Sequence, residues 1–124
     1  MLVDDNPTFL RILSRYLQQY DEVTVVGTAG GVEEAVAKAE HLRPQLILLD
    51  LAMPGVSGLD AIPRLRRTLP EVSIIALTLL ETDGYRQAAL RAGANEFVPK
   101  AVMSAELLPA IRRVIPVHDG GGQT

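Results

Sequence analysis

The feature that most constrains this chain is a repeated pairing of a short apolar run with a stretch of helical periodicity. Leu46-Ile47-Leu48-Leu49 and the run from Val72 to Leu77 contain one polar residue between them, Ser73. Runs of this kind fit strands covered on both faces, as in a parallel sheet flanked by helices. Met1-Leu2-Val3, Val23 to Val26 and Glu96 to Val98 supply three shorter candidates. Asn6-Pro7 predicts a helix start, with Asn as cap and Pro in the first turn. Phe9, Ile12, Leu13, Tyr16, Leu17 and Tyr20 then recur at three- and four-residue spacing and predict one apolar face. Val32, Ala35, Val36 and Ala39 predict a second helix, ended by Arg43-Pro44. Leu59, Ile62, Leu65 and Leu69 predict a third, in which Pro63 implies a kink or a late start. A fourth is expected over 83–92 with Gly93 as its stop. Ser104 is expected to cap a fifth through Val114, with Leu107, Leu108, Ile111 and Val114 or Ile115 inward. Alternating strands and helices imply parallel pairing and right-handed crossovers, so the expected class is α/β.

Composition narrows the function classes. A chain of 124 residues, 48% hydrophobic and 22% charged, reads as one globular domain. A net charge of −3 gives no sign of a nucleic-acid or anionic-membrane surface. With no cysteine there is no disulfide framework or thiolate site, which fits the cytoplasm. The start lacks a signal-peptide pattern, and the apolar stretch Ile74 to Leu80 is far too short to span a bilayer. The expected organisation is one domain over residues 1–116 and a flexible C-terminal tail over 117–124, which holds His118 and Gly120-Gly121-Gly122.

Four of the runs end on residues suited to phosphoryl transfer. Met1-Leu2-Val3 leads into Asp4-Asp5, Leu46 to Leu49 into Asp50, Val72 to Leu77 into Thr78, and Phe97-Val98-Pro99 into Lys100. In an open α/β sheet the carboxyl ends of parallel strands face one crevice, so these groups should converge. A carboxylate can attack phosphorus and hold an acyl phosphate, and Asp50 follows the most apolar strand. Three carboxylates in one crevice repel one another and a phosphate. That is tolerable with a hard divalent cation, Mg²⁺ (or Mn²⁺), between them. Thr78 offers a hydroxyl and Lys100 a point charge to the phosphoryl oxygens. Singly, each group has an ordinary explanation: a helix-capping turn, β-propensity, a surface lysine. Their joint occurrence at four strand ends is the signal. His41 and His118 sit at no strand end, and Gly27-x-x-Gly30-Gly31 lacks the spacing of a dinucleotide loop.

Val3-Asp4-Asp5-Asn6-Pro7, Leu49-Asp50-Leu51-Ala52-Met53-Pro54-Gly55-Val56-Ser57-Gly58, Ala76-Leu77-Thr78 and Gly93-Ala94 leading to Phe97-Val98-Pro99-Lys100 together resemble the receiver domains of two-component response regulators. The ending Ala105-Glu106-Leu107-Leu108-x-Ala110-Ile111-Arg112 looks most like receivers of the LuxR/NarL-type transcriptional regulators. The resemblance implies a flavodoxin-like, doubly wound sheet of five parallel strands in the order 2-1-3-4-5. It implies that Asp50 accepts phosphate from a histidine kinase, a phosphotransfer protein or a small phosphodonor. Asp5 would ligate Mg²⁺ directly, Asp4 through water, and the Ala52 carbonyl would be a further ligand beside Asp50. Thr78 and Lys100 would contact the phosphoryl group, and Phe97 would be an aromatic switch coupled to Thr78. The face of the fourth helix, fifth strand and fifth helix would be read by partners or form a homodimer, with Tyr85, Arg86, Arg91 and Arg112 as candidate contacts. No direct nucleic-acid or membrane contact is expected of this domain.

Four departures from the family pattern stand out. Only three residues precede Asp4, so the first strand reads as shortened, at a cost in stability. Leu79 follows Thr78 where many members have a small residue, which would narrow access to the site. Ala101 follows Lys100 where many have proline. The sequence ends soon after the fifth helix, so no DNA-binding domain is expected within these 124 residues. Three other readings remain for the same residues. A pseudo-receiver would bind partners without phosphorylation. An aspartyl-nucleophile phosphatase needs a general acid two residues after its nucleophile, where this chain has Ala52. A flavodoxin-like electron carrier needs a phosphate loop where Asp4-Asp5 stand.

Overall fold

The computed structural model describes residues 1–53, 58–79 and 83–115. Leu46–Asp50 (β3) and Ser73–Thr78 (β4) form the centre of the sheet, and all of their residues but Ser73 are buried. Leu2–Val3 (β1) lies on the other side of β3, Thr28–Ala29 (β2) at one edge and Glu96–Pro99 (β5) at the other. The order is β2-β1-β3-β4-β5 and every pairing is parallel, as expected for this alternation.

The five helices are Pro7–Gln18 (α1), Val32–Leu42 (α2), Gly58–Thr68 (α3), Asp83–Ala92 (α4) and Met103–Val114 (α5). They cover both faces of the sheet. Leu13 and Leu17 of α1 and Leu107, Ala110 and Ile111 of α5 pack on Leu46, Leu48, Ile75 and Leu77. Ala35 and Ala39 of α2, Ile62 and Leu65 of α3 and Ala89 of α4 pack on Ile47, Leu49, Ile74 and Ala76. Successive strand residues point to opposite faces, so one continuous apolar run feeds two separate cores. Small residues on α2 let that helix sit close to the sheet. No helix among the described residues is long and apolar enough to cross a membrane.

Several expectations are corrected. The second strand is Thr28–Ala29 and not Val23–Val26, because β2 has only β1 to pair with and the ladder runs Leu2 to Thr28 and Val3 to Ala29. Ile12 does not join the buried face of α1: it is 58% exposed, and Leu13 and Leu17 alone are fully covered. The third helix runs from Gly58 through Pro63, so its start is not delayed. Ser104 does not cap α5. A 3₁₀ turn, Lys100–Val102, feeds directly into the helix, and the Met103 N–H is taken by the Lys100 carbonyl. Arg43 closes α2 in the left-handed region, and Gly93 follows α4 with a positive φ of 123°. The loop at 54–57, Leu80 and the tail at 117–124 lie outside the described residues.

Candidate functional site

The register of the sheet brings the chemistry together. Asp50 is opposite Leu77, and Thr78 is opposite Pro99, so Asp50, Thr78 and Lys100 sit at the carboxyl ends of three adjacent strands. Asp4 and Asp5 follow β1 on the far side of β3. Ligand oxygens of Asp4, Asp5 and Asp50 all lie within 4.8 Å of one another. Asp4 and Asp50 are buried while Asp5 is exposed, so the cluster is open to solvent on one side.

Local structure fixes each acid. An Asp4 carboxylate oxygen accepts the Asn6 N–H at 2.9 Å. Asn6 in turn caps α1, its side-chain oxygen accepting from Thr8 N at 3.0 Å and Phe9 N at 3.2 Å. Asp50 Oδ1 accepts the Ala52 N–H at 3.1 Å, and the Leu51 N–H continues the ladder to the Leu77 carbonyl at 3.0 Å. Gly58 presses on this turn. A Cβ there would come within 2.5 Å of Leu51 Cα and 2.7 Å of the Asp50 carbonyl oxygen, so no larger residue fits without displacing the backbone behind Asp50.

Lys100 reaches into the cluster. Its Nζ is 2.8 Å from Asp4 Oδ2 and 3.6 Å from Asp50 Oδ2, with the lysine side chain only 13% exposed. The same ammonium stands over the Phe9 ring, 4.0 Å from its centroid. Burial pushes the Asp50 carboxyl above the usual range. The Ala52 N–H and the Lys100 charge pull it back, and Asp4 and Asp5 push it up again. Three carboxylates against one ammonium leave the cluster short of positive charge. Hard oxygen donors in this number suit Mg²⁺ or a similar divalent ion.

Thr78 is fully buried. Phe97 is buried against the core shared with α2, α3 and α4, and the Arg86 guanidinium lies 4.9 Å from its ring centroid. Leu79 stands 74% exposed and so projects to solvent at the rim. No peptide bond among the described residues is cis, Lys100–Ala101 included. A cavity of about 250 Å³ lies at the opposite end of the strands, lined by Met1, Leu17, Val23, Leu46 and Ile111 among others. Converging charge, rather than concavity, marks the site.

Parallel strands in this order, with acids at the ends of β1 and β3 and a lysine at the end of β5, define a response regulator receiver. Residues 1–112 match the response regulator receiver domain family, and the chain belongs to it. The chain is 37% identical over 114 residues to the response regulator GacA of Pseudomonas viridiflava, covering 92% of this chain and 53% of that protein. It is 32% identical over 113 residues to the response regulator protein VraR of Staphylococcus aureus, covering 91% and 54%. It thus spans about half the length of the curated relatives it matches. Among solved structures, a LuxR-family two-component response regulator from Aurantimonas sp. SI85-9A1 superposes with a TM-score of 0.88 at 29% identity, covering 92% of this chain and 81% of that one. The response regulator domain of Thermotoga maritima CheB gives 0.83 at 30%, covering 91% and 92%. The chain is therefore a response regulator receiver domain of a two-component system.

Of the candidate surface contacts, Arg86 and Arg91 are exposed, but Tyr85 is partly buried against the core and Arg112 is engaged by Glu22 at 2.8 and 3.1 Å. Two residues at the site have a role that sequence patterning missed. Phe9 reads as one member of an apolar stripe, although its place in the first turn after Asp5 puts it beside the acids. Gly58 reads as a loop residue, and its close approach to Asp50 depends on tertiary contact.

Proposed function

We propose that Asp50 is the phosphoacceptor of a two-component relay, charged by a sensor histidine kinase, a phosphotransfer protein or a small phosphodonor. The observation that carries this is the meeting of Asp4, Asp5 and Asp50 within 4.8 Å, with Lys100 Nζ 2.8 and 3.6 Å from two of them. An Asp50 oxygen forms the new bond to phosphorus as the bond to the donor nitrogen or oxygen breaks. The departing atom keeps the electron pair: a nitrogen takes up a proton, while the oxygen of an acyl phosphate leaves as a carboxylate. The domain's own chemistry is limited to this uptake and to hydrolysis of the resulting acyl phosphate.

Asp5, Asp50 and the Ala52 carbonyl would hold Mg²⁺ or Mn²⁺ directly, and Asp4 through water. When bound, the ion supplies the positive charge that lets the carboxylates and the phosphoryl oxygens share one spot. Thr78 and Lys100 donate to the phosphoryl oxygens, and Phe97 moves with Thr78 to report the change to the face of α4, β5 and α5. That face serves a partner or a second copy. Residues 1–116 form the receiver unit and act in the cytoplasm without touching nucleic acid or membrane. The output, by likeness to the relatives, is transcription regulation through a further domain.

The test is intact mass after incubation with Mg²⁺ and acetyl phosphate or phosphoramidate, beside an Asp50→Asn control. Gain of one phosphoryl group, lost in the control, is the expected result. No gain, with beryllofluoride also failing to bind, would assign the chain to the pseudo-receivers.

A further inference from the structure

Lys100 is held by three neighbours of different kinds. Asp4 and Asp50 attract it as counter-charges, and Phe9 attracts it through the negative face of its ring at 4.0 Å, well inside the range of a cation–π contact. The two carboxylates are shared partners: both belong to the acid cluster suited to a cation, and one is the acceptor itself. The ring is neutral. It offers nothing to a hard divalent ion, and phosphorylation does not consume it. The backbone that carries it is held at the helix start, because the Phe9 N–H is one of the two bound by the Asn6 cap, and the Asn6 N–H is bound by Asp4.

We propose that Phe9 is a positioning residue of the phosphorylation site, whose ring face keeps the Lys100 ammonium beside Asp50 when the carboxylates are otherwise engaged. This rests on the assignment of Asp50 as acceptor. A long, flexible lysine without that anchor turns its head to water, which its four-carbon stem allows. The ring also shuts water from one side of the ammonium, which strengthens its pull on developing phosphoryl charge.

Replacing Phe9 site-specifically by mono-, di- and trifluorophenylalanine keeps its shape while draining the negative face of the ring. With Mg²⁺ and acetyl phosphate, the rate of phosphoryl gain by intact mass should fall stepwise with each fluorine. The total across the series should be on the order of threefold to tenfold, the weight of a partly desolvated cation–π contact. In metal-free protein, the ¹⁹F resonance of 4-fluorophenylalanine at position 9 should move on Lys100→Met and stay in place on the surface change Lys38→Met. A flat rate series while phosphorylation proceeds, or a position-9 resonance blind to Lys100→Met, would overturn the role of Phe9. If the unmodified protein takes up no phosphoryl group at all, the acceptor assignment fails, and the positioning role falls with it.

Discussion

Removing the Lys100 charge should destabilise the metal-free protein by an amount that grows with pH. At an effective dielectric of about 20, its contacts at 2.8 and 3.6 Å correspond to roughly 6 and 5 kcal/mol of gross attraction, much of it offset by desolvation of the ammonium. A second limit comes from proton uptake. Asp50 is already pushed above the usual range by burial, so it is the group that takes a proton once Lys100 is gone. Neutralising an Asp of ordinary unfolded pKa costs about 4 kcal/mol at pH 7 and about 2 at pH 5.5, which caps the penalty at each pH. We therefore expect Lys100→Met to cost about 3–4 kcal/mol at pH 7, in line with loss of one partner from a buried pair. The sign follows from linkage: a raised carboxyl pKa in the folded state gives stability at low pH that is lost as pH rises through it. The penalty should thus shrink to about 2 kcal/mol or less at pH 5.5. Mg²⁺ at ten times its dissociation constant should return about 1.4 kcal/mol or more at pH 7. Urea unfolding followed by circular dichroism, with EDTA and then with Mg²⁺, measures all three quantities. Arg64→Met serves as the surface control, since its pair with Glu33 is solvent-exposed and screened and should leave the urea midpoint nearly unchanged. A Lys100→Met penalty below about 1 kcal/mol, or one that does not change between pH 5.5 and 7, would refute the account of Lys100 as the buried counter-charge.

Three further changes test other parts of the site. Gly58→Ala should cost about 1–3 kcal/mol by overpacking against the Asp50–Leu51 backbone, and it should slow phosphoryl uptake; an unchanged urea midpoint would show that the turn yields freely. Asp50→Asn should raise the midpoint of metal-free protein, with the gain over the parent widening as pH rises through the raised Asp50 pKa and levelling off above it. A gap that narrows with rising pH would mean that burial does not push Asp50 up. In a double-mutant cycle, Arg86→Gln and Phe97→Leu should couple by about 0.5–1 kcal/mol, the value of a cation over a ring, and strictly additive effects would remove Arg86 from any role in holding Phe97 inward.

The carboxyl ends of the strands were legible in the sequence because two signals coincide there, an apolar run and an abrupt polar residue. Asp50 and Thr78 are cases in which only a buried strand end reconciles the two. What stayed hidden depends on partners distant in the chain. Val23–Val26 has the β-branched composition of a strand, but propensity does not supply a neighbour, and the ladder forms at Thr28–Ala29 instead. The spacing of Ile12 marks it as part of a stripe, yet periodicity says nothing of how wide a strip the sheet covers, and the contact centres on Leu13 and Leu17. Ser104 has the chemistry of a cap, but the 3₁₀ turn before it takes up the Met103 N–H. Gly58 and Phe9 owe their roles to backbone and charge that arrive from β3 and β5, so local patterning gives only a glycine in a loop and an aromatic in a helix.

The same contacts bear on where a change at Asp50 can be expressed. A ligand shifts a conformational equilibrium only through an element that has two arrangements differing in their contact with it. Towards α3 the backbone of Asp50 and Leu51 is wedged against Gly58, and Ala61, Ile62 and Leu65 behind it are fully buried, which leaves that helix little freedom. Towards β5 the path differs. Thr78 pairs with Pro99, and Phe97 lies two residues back on the edge strand, in the core that Ala89 of α4 shares and with the exposed Arg86 over its ring. A cation over a ring contributes about 1 kcal/mol, small enough for a phosphoryl group on Asp50 to outweigh. With Asp50 as the proposed acceptor, the cation–ring contact of Arg86 at the edge strand, rather than the wedged backbone at Gly58, is where a phosphoryl group would be expected to act.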